Sequence, residues 1–146
     1  MRALALDVGS KTIGLAVSDP DGVIATARGV LARKGQEADA KAIAQQVVAD
    51  EVARVVVGLP LELDGREGHR ARRVRSFIAA LVPVLEALPD RDVGVETWDE
   101  RFSTAAAERT LLEGDVSRAR RKDKIDALAA QFILQGWLDA QSSEDR

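Results

Sequence analysis

Leu4-Ala5-Leu6-Asp7-Val8-Gly9-Ser10-Lys11-Thr12-Ile13-Gly14-Leu15-Ala16-Val17 is the stretch whose reading decides the fold. Leu4, Leu6 and Val8 alternate with Ala3, Ala5 and Asp7, which is the period of a strand. Gly9-Ser10-Lys11 supplies the small and polar residues of a turn, and Thr12 to Val17 reads as a second strand. Asp19-Pro20-Asp21-Gly22 is a further turn of the kind that joins antiparallel neighbours, and Val23 to Leu31 predicts a third strand that contains Gly29. Asp7 is the anomaly, because a charge inside an apolar strand is costly unless it is paired or used. From the residues alone it is either a turn-capping aspartate at the strand end or a metal-binding carboxylate in the middle of a sheet. In the second case the neighbouring glycine would let a phosphate backbone come close.

Outward from this stretch, residues 36–50 carry strong helix formers with apolar positions at helical spacing. Arg54-Val55-Val56-Val57-Gly58 is a β-branched run, read as a buried strand. Leu59 to Gly65 is a loop, and a long helix is expected over 68–88, ending before Pro89. Asp92 to Trp98 is a fifth strand, and helices are expected near 103–114 and 121–140, separated by Gly114-Asp115-Val116-Ser117. The order β β β α β α β α α predicts an α/β fold with one five-stranded mixed sheet and helices on both faces. A single domain is expected over 1–140, followed by a polar, frayed tail over 141–146.

The 146 residues are the size of one ordinary domain, and 46% apolar residues suffice for a core. With no cysteine there is no thiolate nucleophile, zinc–thiolate site or iron–sulfur ligation, and one histidine, His69, excludes a multi-histidine metal site. Aromatic residues are 3% of the chain, a poor supply for stacking single-stranded bases. Asp7 comes too early for a signal-peptide core, and no apolar run approaches the ~18 residues needed to span a membrane. A cytoplasmic protein with no membrane partner is therefore expected.

Two further groups of acids stand out. In Trp98-Asp99-Glu100-Arg101-Phe102-Ser103-Thr104, two acids and an arginine follow a predicted central strand, where open sheets gather their sites. Asp99 or Ser103 can equally serve as a helix cap, with Glu100 on the surface. In Lys122-Asp123-Lys124-Ile125-Asp126-Ala127-Leu128-Ala129-Ala130, the packed face is expected to run through Ile125, Leu128, Ala129, Phe132 and Ile133, with Asp126 at its border. Acids from the first strand, the fifth strand end and the last helix would suit hard divalent cations, Mg²⁺ or Mn²⁺. Two such ions ~4 Å apart activate a water and stabilise the leaving oxygen of a phosphodiester.

These segments, with the loop between them, resemble the YqgF/RuvX family, proposed pre-16S ribosomal RNA nucleases that are also described as Holliday-junction-resolvase-like. The resemblance runs from Leu4 to about Leu138. It is carried by Asp7-Val8-Gly9-Ser10-Lys11-Thr12-Ile13-Gly14-Leu15-Ala16 and by Val57-Gly58-Leu59-Pro60-Leu61 with Asp64-Gly65 and Gly68. Asp99-Glu100-Arg101-Phe102-Ser103-Thr104 with Ala107-Glu108 follows, then Asp126-Ala127-Leu128-Ala129-Ala130 with Ile133-Leu134-Gln135. It implies an RNase H-like fold and a metal-dependent endonuclease processing pre-16S rRNA, in which Asp7, Glu100 and Asp126 are the catalytic, metal-binding acids. The resemblance, not the spacing, favours Glu100 over Asp99 or Glu96. Glu62 stands where the family often has asparagine, and Ser103 replaces a common threonine. Asp123 is either a surface acid or, as in related junction resolvases with two acids three apart on the last helix, an auxiliary ligand.

The net charge of −3 hides two basic segments. Arg118 to Lys124 and Arg66 to Arg75 each hold five basic residues against one acid, so they carry +4 each and leave −11 on the remainder. A solvated helix face is the plain reading of both. Arg118, Arg121 and Lys122 match basic positions in the family and precede Asp126, which makes them expected phosphate contacts. The 66–75 segment either extends that surface or serves a protein partner. Lys11 and Arg101 each neutralise a scissile phosphate or pair with a carboxylate. His69 is expected to be exposed, Trp98 and Trp137 to pack, and Phe77, Phe102 and Phe132 to lie in the core.

The expected partner is precursor rRNA, with ribosome-assembly factors as further candidates. Branched four-way DNA is the alternative and would call for a homodimer rather than a monomer. Two other classes compete. A nucleotide phosphotransferase of the actin or sugar-kinase type shares the first glycine-containing turn but needs a second such half. A noncatalytic RNA-binding or ribosome-assembly module would keep the fold without needing the acids.

Overall fold

The computed structural model describes residues 1–102 and 118–144, with side chains over 1–101 and 127–142. The elements are β1 (Arg2–Val8), β2 (Thr12–Ser18), β3 (Ala25–Ala32), α1 (Gln36–Ala49), β4 (Val52–Leu59), α2 (His69–Glu86), β5 (Gly94–Asp99), a 3-10 turn (Glu100–Phe102) and α3 (Arg118–Glu144). The helix expected at 103–114 lies outside the described residues, as does Phe102's side chain. The strands form one sheet in the order β3-β2-β1-β4-β5. β1 runs antiparallel to β2 and β2 to β3, whereas β1–β4 and β4–β5 are parallel. β1 and β4 therefore lie at the centre, and the C-terminal ends of β1, β4 and β5 share one edge.

The alternation in β1 sorts the molecule into two layers. Leu4, Leu6 and Val8 face a core built with Val55, Val57, Leu59, Ile43, Val47, Val74, Phe77 and Leu81, under α1 and α2. Ala3 and Ala5 face the other way, to Ala16, Val56, Ala130, Ile133, Leu134, Trp137 and Leu138, under α3. The residues of β1 and β2 facing α3 are small, so a long helix lies close against the sheet centre. Helices thus cover both faces, as the order of elements implied.

Several details depart from the sequence reading or add to it. The third strand begins at Ala25 rather than Val23, because the Asp19 carboxylate accepts the amide N–H of Val23 and of Ile24, at 2.7 and 2.8 Å, and holds both in the turn. Gly29 is accommodated by a register shift between Leu15 and Ala16. The packed face of α3 is wider than the expected one: Ala129 and Ile133 are buried as expected and are joined by Ala130, Leu134, Trp137 and Leu138, while Leu128 and Phe132 are only half-buried. Residues 125–138 are apolar nearly all round, so their periodicity does not select a stripe. The helix also continues through Glu144. Phe77 is fully buried, Trp137 is 4% exposed, and His69 is exposed at the start of α2.

Candidate active site

Asp7 lies at the carboxyl end of β1 on the face turned to α3, since it follows Ala3 and Ala5 at intervals of two. Its partner across β2 is Gly14. On the other side Leu6 pairs with Val57, so the next position beside Asp7 is Gly58, which itself pairs with Trp98 of β5. Gly14, Asp7, Gly58 and Trp98 thus form one row across four strands. Glycine therefore flanks the acid in both neighbouring strands, so no Cβ stands beside it in that row.

Glu100 enters that space. A Cβ built on Gly58 would lie 2.7 Å from Glu100 Oε1, 3.3 Å from its Cγ and 2.6 Å from Ile133 Cδ1. The carboxylate therefore lies over Gly58, in a notch that exists only because residue 58 has no side chain. Adjacent strands are about 4.8 Å apart, so Glu100 stands roughly one strand spacing from the line of β1, on the face that carries Asp7. The structure brings these two predicted acids to one place.

The other acids of the segment are engaged elsewhere. Glu96 lies two residues before Trp98 on the same face of β5, beside Val56. Its carboxylate accepts from Arg54 NH1 at 2.8 Å and from Trp137 Nε1 at 2.5 Å, which fastens α3 to β5. Asp99 accepts from the Arg101 backbone N–H at 2.9 Å and from Arg101 NH2 at 2.7 Å. Arg101's guanidinium holds the Asp99 carboxyl below its ordinary pKa, against an opposing push from burial. Asp99 thus caps the 3-10 turn that presents Glu100, whereas the helix it was expected to cap lies outside the described residues. Arg101 pairs with Asp99 and also donates to the Leu63 carbonyl at 3.3 Å, linking β5 to the loop after β4.

Lys11 is exposed in the β1–β2 turn and makes no ion pair among the described residues. The turn beneath it is braced. Gly9 N–H donates to the Thr12 carbonyl at 2.8 Å, and Arg33 N–H to the Lys11 carbonyl at 2.9 Å. Arg33 NH1 donates to the Gly9 carbonyl at 2.7 Å and its Nε to Asp39 at 2.8 Å. Asp39, 2% exposed in the first turn of α1, also accepts from Lys34 N–H at 3.0 Å. The guanidinium lies 5.3 Å from the Phe77 ring centroid. Sequence reasoning missed this strut. Its signal was a charged pair, Arg33 and Asp39, bracketing the glycine before a helix.

The third predicted acid, Asp126, and Arg118, Arg121, Lys122 and Asp123 belong to the first turns of α3, and their side chains lie outside the described residues. Position 126 precedes Ala130 by four residues and Ile133 by seven along α3. Ile133 is the residue that touches the Gly58 notch. Among the described residues no three acids form a cluster.

A family model described as "RuvX: Holliday junction resolvase" matches residues 1–140. A Myxococcus xanthus protein named "Putative pre-16S rRNA nuclease" is 52% identical over 145 residues, which cover 99% of this chain and 92% of that protein. A protein of the same name from Chelativorans is 50% identical over 94% of this chain and 83% of its own length. Among solved structures, Thermus thermophilus RuvC in complex with Holliday junction substrate superposes with a TM-score of 0.60 at 17% identity, covering 97% of this chain and 96% of that one. At that identity the likeness establishes the fold alone.

Proposed function

The chain belongs to the RuvX Holliday junction resolvase family, and on that premise we propose that it is a divalent-metal-dependent endonuclease that processes precursor 16S rRNA in the cytoplasm. The observation that carries this is the notch at Gly58, which admits the Glu100 carboxylate to the row that holds Asp7. A glycine-lined gap bordered by carboxylate oxygens, without sulfur or imidazole, fits hard cations such as Mg²⁺ or Mn²⁺. In this reading Asp7, Glu100 and Asp126 hold the cations, which supply Lewis-acid activation of water and stabilise the leaving oxygen. Gly14 and Gly58 keep the floor of the site flat, so that a phosphate backbone can approach. Lys11 and, from the start of α3, Arg118, Arg121 and Lys122 hold that backbone. Arg101 acts by fixing the Asp99 turn, and contacts substrate only beyond that pairing.

The curated relatives' name supports the RNA reading, and the family's description supports four-way DNA as the second. Cleavage of a precursor 16S rRNA fragment and a four-way DNA junction, side by side with Mg²⁺, Mn²⁺ or EDTA, tests both. Cutting of the RNA by the wild type, abolished by EDTA and by Asp7→Asn, is expected. Activity that resists EDTA, or a folded Asp7→Asn protein as active as wild type, overturns the reading. Cleavage of the junction alone replaces RNA by DNA.

A further inference from the structure

The basic segment at the start of α2 is not used by the site described above. Part of its charge is spent locally: Arg66 pairs with Asp64 at 2.6 Å and Arg75 with Glu67 at 2.9 Å, while Arg72 donates to the Glu67 carbonyl. Arg70 and Arg73 make no ion pair among the described residues. Arg70 is exposed and Arg73 half-buried. Helix α2 has no acid in its first turn and no side-chain cap, since its N-cap is Gly68. Cations at that end oppose the helix dipole and weaken the fold locally. Glu62, whose carboxylate lies against Gly68, relieves this only in part.

Arg70, Arg73 and Phe77 follow one another at three and four residues, so they share a stripe of α2. That stripe leads to the strut under the active-site turn, because Phe77 packs beneath Arg33 and Ser76 accepts a hydrogen bond from Gln36 at 2.9 Å. Lys34, next to Arg33, is exposed, and the Arg33 N–H is bonded to the carbonyl of Lys11. Lys34 and Lys11, like the two arginines, make no ion pair among the described residues. Asp39 is taken by Arg33, and Glu37, exposed in the first turn of α1, pairs with none of the four.

We propose that Lys11, Lys34, Arg70 and Arg73 form a cationic track that holds the phosphate backbone of the nucleic-acid substrate beyond the cleavage site. The substrate then passes over the carboxyl edge of the sheet, from the α3 face to the start of α2. The inference rests on the nuclease reading and deepens it. Because the aromatic ring on this stripe is buried, the contact is to phosphate and independent of sequence.

The test is fluorescence anisotropy in EDTA, with a labelled RNA hairpin and a labelled four-way DNA junction, over a salt titration. Each lost phosphate contact lowers the slope of log K against log salt by about 0.9 on a duplex. Arg70→Gln/Arg73→Gln is expected to lower the slope by roughly 2 and the affinity about tenfold at moderate salt. Arg70→Lys/Arg73→Lys should restore both. Lys34→Gln, on a different element, should lower the slope by about 1. Melting temperatures of these surface variants should stay at or above the wild-type value. Wild type that binds neither probe overturns the nuclease reading and the track together. Wild type that binds while the Gln variants bind equally well overturns the track alone and leaves the patch to a protein partner.

Discussion

At Gly58 the absence of a methyl group determines where Glu100 sits. Gly58→Ala would place a carbon within 2.7 Å of Glu100 Oε1 and 2.6 Å of Ile133 Cδ1, and an overpacked methyl in a dense interior costs about 1–3 kcal/mol. Ile133 can turn its terminal methyl aside, and the Glu100 carboxylate has to shift from its place over residue 58. Loss of cleavage should therefore exceed what the shift in urea midpoint explains, and a Gly58→Ala protein with full activity would remove Glu100 from the site. Asp99 gives a prediction in pH. Its folded pKa is depressed below the ordinary 3.8 by Arg101, so the pair contributes stability above that value and loses it as pH falls through the depressed one. The Arg101 side chain is 35% exposed, and the contribution is at most about 1 kcal/mol. Urea midpoints of wild type and Asp99→Asn should differ near about pH 6 and converge well below the ordinary carboxylate value. A constant difference across that range would show that the turn is held by something else.

The elements that carry the site differ in how far their sequence reveals them. β1 and β4 were legible because each sits between unlike surroundings: alternation in Leu4 to Val8 distinguishes two layers, and Val55-Val56-Val57 suits a strand covered on both sides. The convergence of Glu100 on Asp7 was not. It depends on the parallel register of β1 with β4 and on a side chain reaching back from the next strand, neither of which leaves a period in the sequence. The stripe of α3 was legible only in part for the opposite reason, an excess of apolar residues: Ala129 and Ile133 are buried as expected, whereas Leu128 and Phe132 are half-buried. The signal of the Arg33–Asp39 strut was weak because its members belong to a loop and a helix start, where charge is the norm. Its energetics are testable. Asp39→Ala leaves a largely buried guanidinium without its partner, and breaking such a pair costs about 3 kcal/mol. A double-mutant cycle with Arg33→Met should recover part of that loss. If Asp39→Ala lowers the urea midpoint no more than a surface substitution does, the strut does not brace the turn beneath Lys11.

For the molecule as a whole, the net charge of −3 misleads about its partners. Cations gather at the starts of α2 and α3, while the carboxylates of Asp7 and Glu100 occupy the edge between the centre of the sheet and the 3-10 turn. The same edge must therefore attract a polyanion at its flanks and tolerate it at its centre. Bare carboxylates there repel phosphate, at a cost of about 1–4 kcal/mol per close pair depending on exposure. A divalent cation reverses the sign of that centre without altering the flanks. Affinity for a labelled RNA hairpin should therefore be roughly tenfold tighter in Ca²⁺ than in EDTA at equal ionic strength. Neutralising the acids should act in the same sense as the metal. Asp7→Asn/Glu100→Gln is expected to bind more tightly than wild type in EDTA, to gain little from Ca²⁺ and, on the proposed roles of these acids, to lose cleavage. Equal affinity of wild type in Ca²⁺ and EDTA would mean that the phosphate backbone does not pass over the carboxylates, and that the notch at Gly58 serves packing rather than chemistry.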